Sequence, residues 1–66
     1  MKIIINGDTR EFEDGASVLK VIKQLSLEGK VMAAAVNMDI VKQDDWSSHI
    51  LQDLDKLELL DFVGGG

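Results

Sequence analysis

Sixty-six residues, 45% of them hydrophobic and 29% charged, allow one domain with a thin core, since a chain this short buries only roughly 60% of the surface it exposes when unfolded. The lack of cysteine excludes a disulfide, a thiolate nucleophile and Cys-ligated zinc, and a single histidine, His49, leaves little scope for acid–base chemistry or a His-rich metal site. The net charge of −5 lies wholly from Ala34 onward, where two bases meet seven acids, which argues against nucleic acid or an anionic membrane surface as partner.

Those acids suit either plain solubility or attraction to a basic protein surface. No apolar run approaches the roughly 20 residues that span a bilayer. The apolar start, Ile3 to Ile5, gives way at once to Asn6, Gly7 and Asp8, unlike a signal peptide. The expectation is a small, soluble, cytoplasmic domain that does no chemistry alone.

Met1 to Asn6 reads as a strand, with Met1, Ile3 and Ile5 facing one way and Lys2, Ile4 and Asn6 the other. Asn6-Gly7-Asp8 is a hairpin turn signal, because Asn and Gly both tolerate positive φ. Thr9 to Glu13 is the returning strand, ended by Asp14-Gly15. Ser17 is placed to cap a helix over about Ser17 to Ser26, in which Val18, Ile22 and Leu25 recur at helical spacing beside Leu19 and Val21. Gly29 ends that element or the loop after it.

Val31 to Asn37 reads as a strand despite its three alanines, with Met32, Ala34 and Val36 on one face and Val31, Ala33 and Ala35 on the other. Ala33 and Ala35 either give a partner a flat face to approach or accommodate neighbouring strands. Ile40-Val41 is a short partner across the Asn37-Met38-Asp39 turn. Lys42 to His49 is a polar loop around Trp46, which either caps the core or marks a contact site. Asp44-Asp45 is too sparse for a metal site, and His49 has no partner at ligand spacing. A turn at Asp53 to Asp55 leads into the last strand, Lys56 to Val63. Its Leu57, Leu59 and Val63 are assigned to the core, and Glu58, Leu60 and Phe62 to the opposite face. The order β-β-α-β-β-β implies an α+β fold, a mixed sheet of four to five strands with one main helix on one face.

Three of the six glycines are the last three residues, Gly64, Gly65 and Gly66. Glycine contributes little to stability at a terminus. Three in a row form a thin tail about 10 Å long when extended, able to enter a channel too narrow for any Cβ and present a carboxylate there. The other reading of the tail is a frayed end or a linker remnant. No side-chain grouping in the sequence suggests a catalytic residue or a metal site.

The whole chain resembles the ThiS/MoaD family of ubiquitin-like sulfur-carrier proteins, on the thiamine-biosynthesis side of that family. The matching segments are Ile3-Ile4-Ile5-Asn6-Gly7, Ala35-Val36-Asn37 leading into Ile40-Val41, Trp46, Leu51 to Asp55, and Leu57 to Gly66. Each is weak alone; their order, spacing and terminal placement carry the resemblance. Leu54 departs from the family's pattern, standing where glycine often occupies an acid-Gly-acid turn.

The resemblance implies a β-grasp (ubiquitin-like) domain over residues 1–63 and a flexible glycine tail over 64–66. It implies a carrier rather than an enzyme, with no cofactor bound. An E1-like, ThiF-type adenylyltransferase uses ATP to activate the carboxylate of Gly66, a persulfide donor supplies sulfur, and the resulting thiocarboxylate serves a ThiG-type thiazole synthase. Gly64, Gly65 and Gly66 would enter the partners' active sites. It also sets the first and last strands side by side, which would place Ile4 beside Leu60 and Phe62 as a docking patch. The alternatives are the small subunit of molybdopterin synthase, which shares fold and tail, and a ubiquitin-like interaction module without acyl chemistry.

Overall fold

The computed structural model describes residues 1–61. Five strands form one sheet: β1 (Lys2–Ile5), β2 (Asp8–Glu11), β3 (Val31–Val36), β4 (Asp39–Val41) and β5 (Lys56–Asp61), with one helix, α1 (Val18–Gln24), and a 3₁₀ turn at Gln43–Asp45. Their spatial order is β2-β1-β5-β3-β4. The last strand in sequence is therefore the middle one in space, parallel to β1 and antiparallel to β3.

Two tight turns build the outer strand pairs. In each, two residues take positive φ, Asn6 (47°) with Gly7 (92°) and Asn37 (50°) with Met38 (75°). Such turns match the right-handed twist of the strands they join. They set Ile5 opposite Asp8 and Val36 opposite Asp39.

The helix is shorter than the sequence suggests, and both ends have local causes. Ser17 caps it by accepting from Lys20 N–H at 3.1 Å. Two further first-turn amides, Val18 and Leu19, donate to the carbonyls of His49 and Trp46 at 3.0 Å each. The long β4–β5 connection is thus strapped to the start of the helix by donors that no helical carbonyl could satisfy. At the other end Ser26, at φ +60°, terminates the helix, and Gly29, at φ +80°, lies in the loop after it, the second of its two expected places. Leu27 N–H reaches back to Ile22 C=O and Ser26 N–H to Lys23 C=O, both at 3.0 Å, closing the helix in a Schellman motif.

The core lies between α1 and one face of the sheet. Ile3, Val18, Val21, Ile22 and Leu57 are almost fully enclosed. Trp46 and Leu51 close it from the β4–β5 connection, and the Trp46 indole donates to Val41 C=O at 2.9 Å, so Trp46 is a core cap. Leu57 and Leu59 are buried as expected, whereas Val63 lies outside the described residues. The facing of β3 differs from simple alternation. Val31 is buried with Ala34 and Val36, while Met32 is 52% exposed. A register shift between Val31 and Ala33 in the pairing with β5 explains this, since an irregularity there turns Val31 back toward the core.

The Asp53–Asp55 turn is kept although its middle residue is leucine. Leu54 sits at φ +70° with its side chain largely exposed. Two neighbouring carboxylates hold the turn: Asp53 accepts from Lys2 N–H at 2.6 Å and Asp55 from Gln52 N–H at 2.8 Å. A left-handed backbone costs an L-residue on the order of 1–2 kcal/mol. Leu54→Gly should therefore raise stability by about 1 kcal/mol in denaturant unfolding. Leu57→Ala, which empties the centre of the core, should lower it by about 3 kcal/mol on the same assay.

Candidate functional site

The segment that matters is where β5 leads toward the terminal glycines. Alternation along β5 puts Leu57 and Leu59 under the helix and Glu58 and Leu60 on the opposite, outer face. On one side β3 pairs with β5 through Asp61, setting Ala33 opposite Leu60 and Ala35 opposite Glu58. On the other side the parallel pairing with β1 is short, Ile4 opposite Lys56 and Ile5 opposite Leu57.

Two asparagine side chains reinforce β5 where regular pairing stops. Asn37 accepts from Lys56 N–H and donates to Asp55 Oδ1, both at 3.0 Å, at the start of the strand. Asn6 grips further along, accepting from Leu59 N–H at 2.9 Å and donating to Leu59 C=O at 3.2 Å. Both belong to the two hairpin turns, where positive φ swings the amide toward the neighbouring strand.

The outer face beside the end of β5 is apolar and open. Leu60 is 56% and Ile40 72% exposed, standing on either side of the half-buried Ala33 and Ala35. Together with Asn6 and Glu58 they line a shallow depression. Ile40 was not singled out as a surface residue by the sequence. The available signal was its place on the edge strand opposite Ala35, whose small side chain leaves Ile40 uncovered.

Among the docking residues expected from sequence, Leu60 is on this face and exposed. Ile4 shares the face but is not beside Leu60. It stands opposite Lys56, four residues earlier on β5, a separation of roughly 13 Å along a strand. The reason is the register: β1 turns away at Asn6-Gly7, so Leu60 has Ala33 for a neighbour instead. Phe62, Gly64, Gly65 and Gly66 lie outside the described residues.

Side-chain chemistry is sparse among the described residues. They contain no group of three or more His, Asp or Glu able to hold a metal ion, and no buried side-chain polar atom without a partner. None of their helices is long and apolar enough to cross a membrane. His49 is half-buried, and Asp44 and Asp45 are exposed on the 3₁₀ turn.

Comparison with known proteins places this architecture. The fold is shared with the crystal structure of the thiamine biosynthesis protein ThiS from Geobacter metallireducens, at a TM-score of 0.82 over the whole of both chains and 21% identity. The five-stranded mixed sheet with one helix is thus a β-grasp fold. The chain is 32% identical to the sulfur carrier protein ThiS of Escherichia coli over the full length of both. It is also 33% identical, over all its 66 residues, to part of a thiazole synthase of Paramagnetospirillum magneticum, and spans 20% of that relative's length. The family model described as the ThiS family matches residues 3–66, from the first strand through the last glycine, and the chain belongs to that family.

Proposed function

We propose that this ThiS-family sulfur carrier of thiamine biosynthesis bears its sulfur on the main-chain carboxylate of Gly66. The observation that carries the reading is a run of three glycines, Gly64 to Gly66, that follows the central strand after Phe62 and Val63 in a sequence with no cysteine. Without a thiol, no side chain can hold sulfur as a persulfide. A carboxylate is a poor electrophile, so it must first gain a leaving group. An E1-like, ThiF-type adenylyltransferase supplies one by joining the Gly66 carboxylate to the α-phosphate of ATP, releasing pyrophosphate. The terminal sulfur of a persulfide donor then displaces AMP to give an acyl disulfide. A thiol that attacks the donor's sulfur breaks the S–S bond, leaving the thiocarboxylate on Gly66 and a new disulfide on the donor.

Gly64 and Gly65 carry no side chain, so the tail that presents Gly66 can pass through a narrow opening in each partner. A ThiG-type thiazole synthase is the acceptor in this reading. Support comes from the Paramagnetospirillum relative, a protein named thiazole synthase that contains a stretch like this whole chain. Carrier and synthase sequences in one polypeptide fit two functions that act on the same sulfur.

The outer face supplies the docking surface. Leu60 and Ile40 stand exposed over Ala33 and Ala35 on the sheet beside the end of β5. Phe62 follows Leu60 at strand alternation in the sequence, and Ile4 lies at the far margin of the same face. A partner seated here would receive the glycines directly. Desolvating such apolar groups is a common source of interface energy.

Intact-mass analysis after incubation with ATP, the adenylyltransferase and a persulfide donor tests the carrier chemistry. The expected result is the shift of one oxygen-to-sulfur exchange, lost on deletion of Gly66 with no change in thermal stability. An unchanged mass for the full chain would contradict the reading. For docking, Leu60→Asp and Ile40→Asp should each keep the unfolding midpoint near that of the parent. Both should weaken binding to the adenylyltransferase by about tenfold, as loss of a contact worth about 1.4 kcal/mol would. Undiminished binding would remove this face from the account.

A further inference from the structure

We infer that Asn6 is a positioning residue for adenylation of Gly66, because its side chain holds β5 at Leu59, in the part of the strand nearest the glycines in sequence. This rests on the reading that Gly66 is the activated group. In a parallel ladder the hydrogen bonds are evenly spaced. Here Ile4 N–H bonds to Asp55 C=O at 2.9 Å and Asn6 N–H to Leu57 C=O at 3.1 Å. The next partners of Leu59 would be the main-chain carbonyl of residue 6 and an amide two residues on. The chain has already turned away by then, at Asn6-Gly7.

The Asn6 side-chain amide supplies both missing groups. Its oxygen accepts from Leu59 N–H at 2.9 Å and its nitrogen donates to Leu59 C=O at 3.2 Å. Without it, β5 beyond Leu57 would be paired through β3 alone. A strand held on one side is free to twist and bend away from the sheet. Leu59 lies five residues before Gly64 in the sequence, so the clasp acts on the stretch of strand from which Gly66 is presented. Misplacing a reacting group by about 1 Å can cost up to roughly 100-fold in rate.

Asn37 is the built-in control. It makes the same kind of clasp, from the same kind of turn, at Lys56, where β5 begins. A general weakening of the sheet would follow from losing either clasp. Of the two clasps, that of Asn6 grips β5 nearer its end, at Leu59 rather than Lys56.

The test uses Asn6→Gly and Asn37→Gly, because glycine accepts the positive φ of both positions and removes only the side chain. Pyrophosphate release is measured against carrier concentration with the E1-like adenylyltransferase and ATP, alongside amide hydrogen exchange. Asn6→Gly should exchange its Leu59 amide faster and lose about tenfold in kcat, whatever its effect on KM, because Asn6 also borders the docking depression. A lower folded fraction would instead raise the apparent KM and spare kcat. Asn37→Gly should keep the parent kcat. An unchanged kcat for Asn6→Gly, a loss expressed only in KM, or an equal kcat loss in Asn37→Gly would each overturn this inference alone. No pyrophosphate from the unaltered chain would overturn the Gly66 reading, and this inference with it.

Discussion

The pairing of β5 on both of its edges is the constraint on which the rest of the molecule depends. The β1–β2 hairpin and the β3–β4 hairpin do not pair with each other; β5 joins them. The sheet is therefore incomplete until the last strand is in place, and the contacts that complete it are long-range. Each hairpin contributes a main-chain ladder and one asparagine side chain to this strand. The completeness of the sheet thus rests on one segment.

The two faces of the sheet divide the labour. The inner face carries Ile3, Ile5, Ala34, Val36, Leu57 and Leu59 under the helix, with Trp46 and Leu51 sealing the margin. In a domain of this size that single core must supply nearly all of the stability. The outer face carries residues that the fold does not need, Leu60 and Ile40 over two alanines, and leaves them in water. Apolar groups exposed side by side in this way suit a protein partner.

Much of this was legible in the residues, and what was legible was local. Ser17 announces a helix start, Asn6-Gly7 a hairpin, and the alternation of Leu57 to Leu60 a strand with one buried face. The proposal for Gly66 draws on sequence in a different way, since three glycines in succession offer no side chain to pack. The misjudged details depend on relations between distant segments. Whether Ile4 meets Leu60 is decided by the register of a parallel pair, which no short stretch of sequence encodes. The burial of Val31 follows from a shift that only its pairing with β5 reveals. Ser26 ends the helix ahead of Gly29 because the Schellman bonds and the seating of Leu27 outweigh the cost of positive φ at serine. The two asparagine clasps belong to the same class. Each residue is recognisable as a turn former, but its second role appears only when β5 lies alongside.

The central claim is that the sulfur this protein carries resides on its main chain, at Gly66. Mapping the site of sulfur tests it most directly. The carrier, loaded by its adenylyltransferase and a persulfide donor, would be alkylated with a thiol-specific reagent, digested and sequenced by fragmentation mass spectrometry. The account predicts a label on Gly66 alone, in the peptide that follows Asp61. Label on any side chain, or sulfur lost from the chain on unfolding without a covalent adduct, would contradict it.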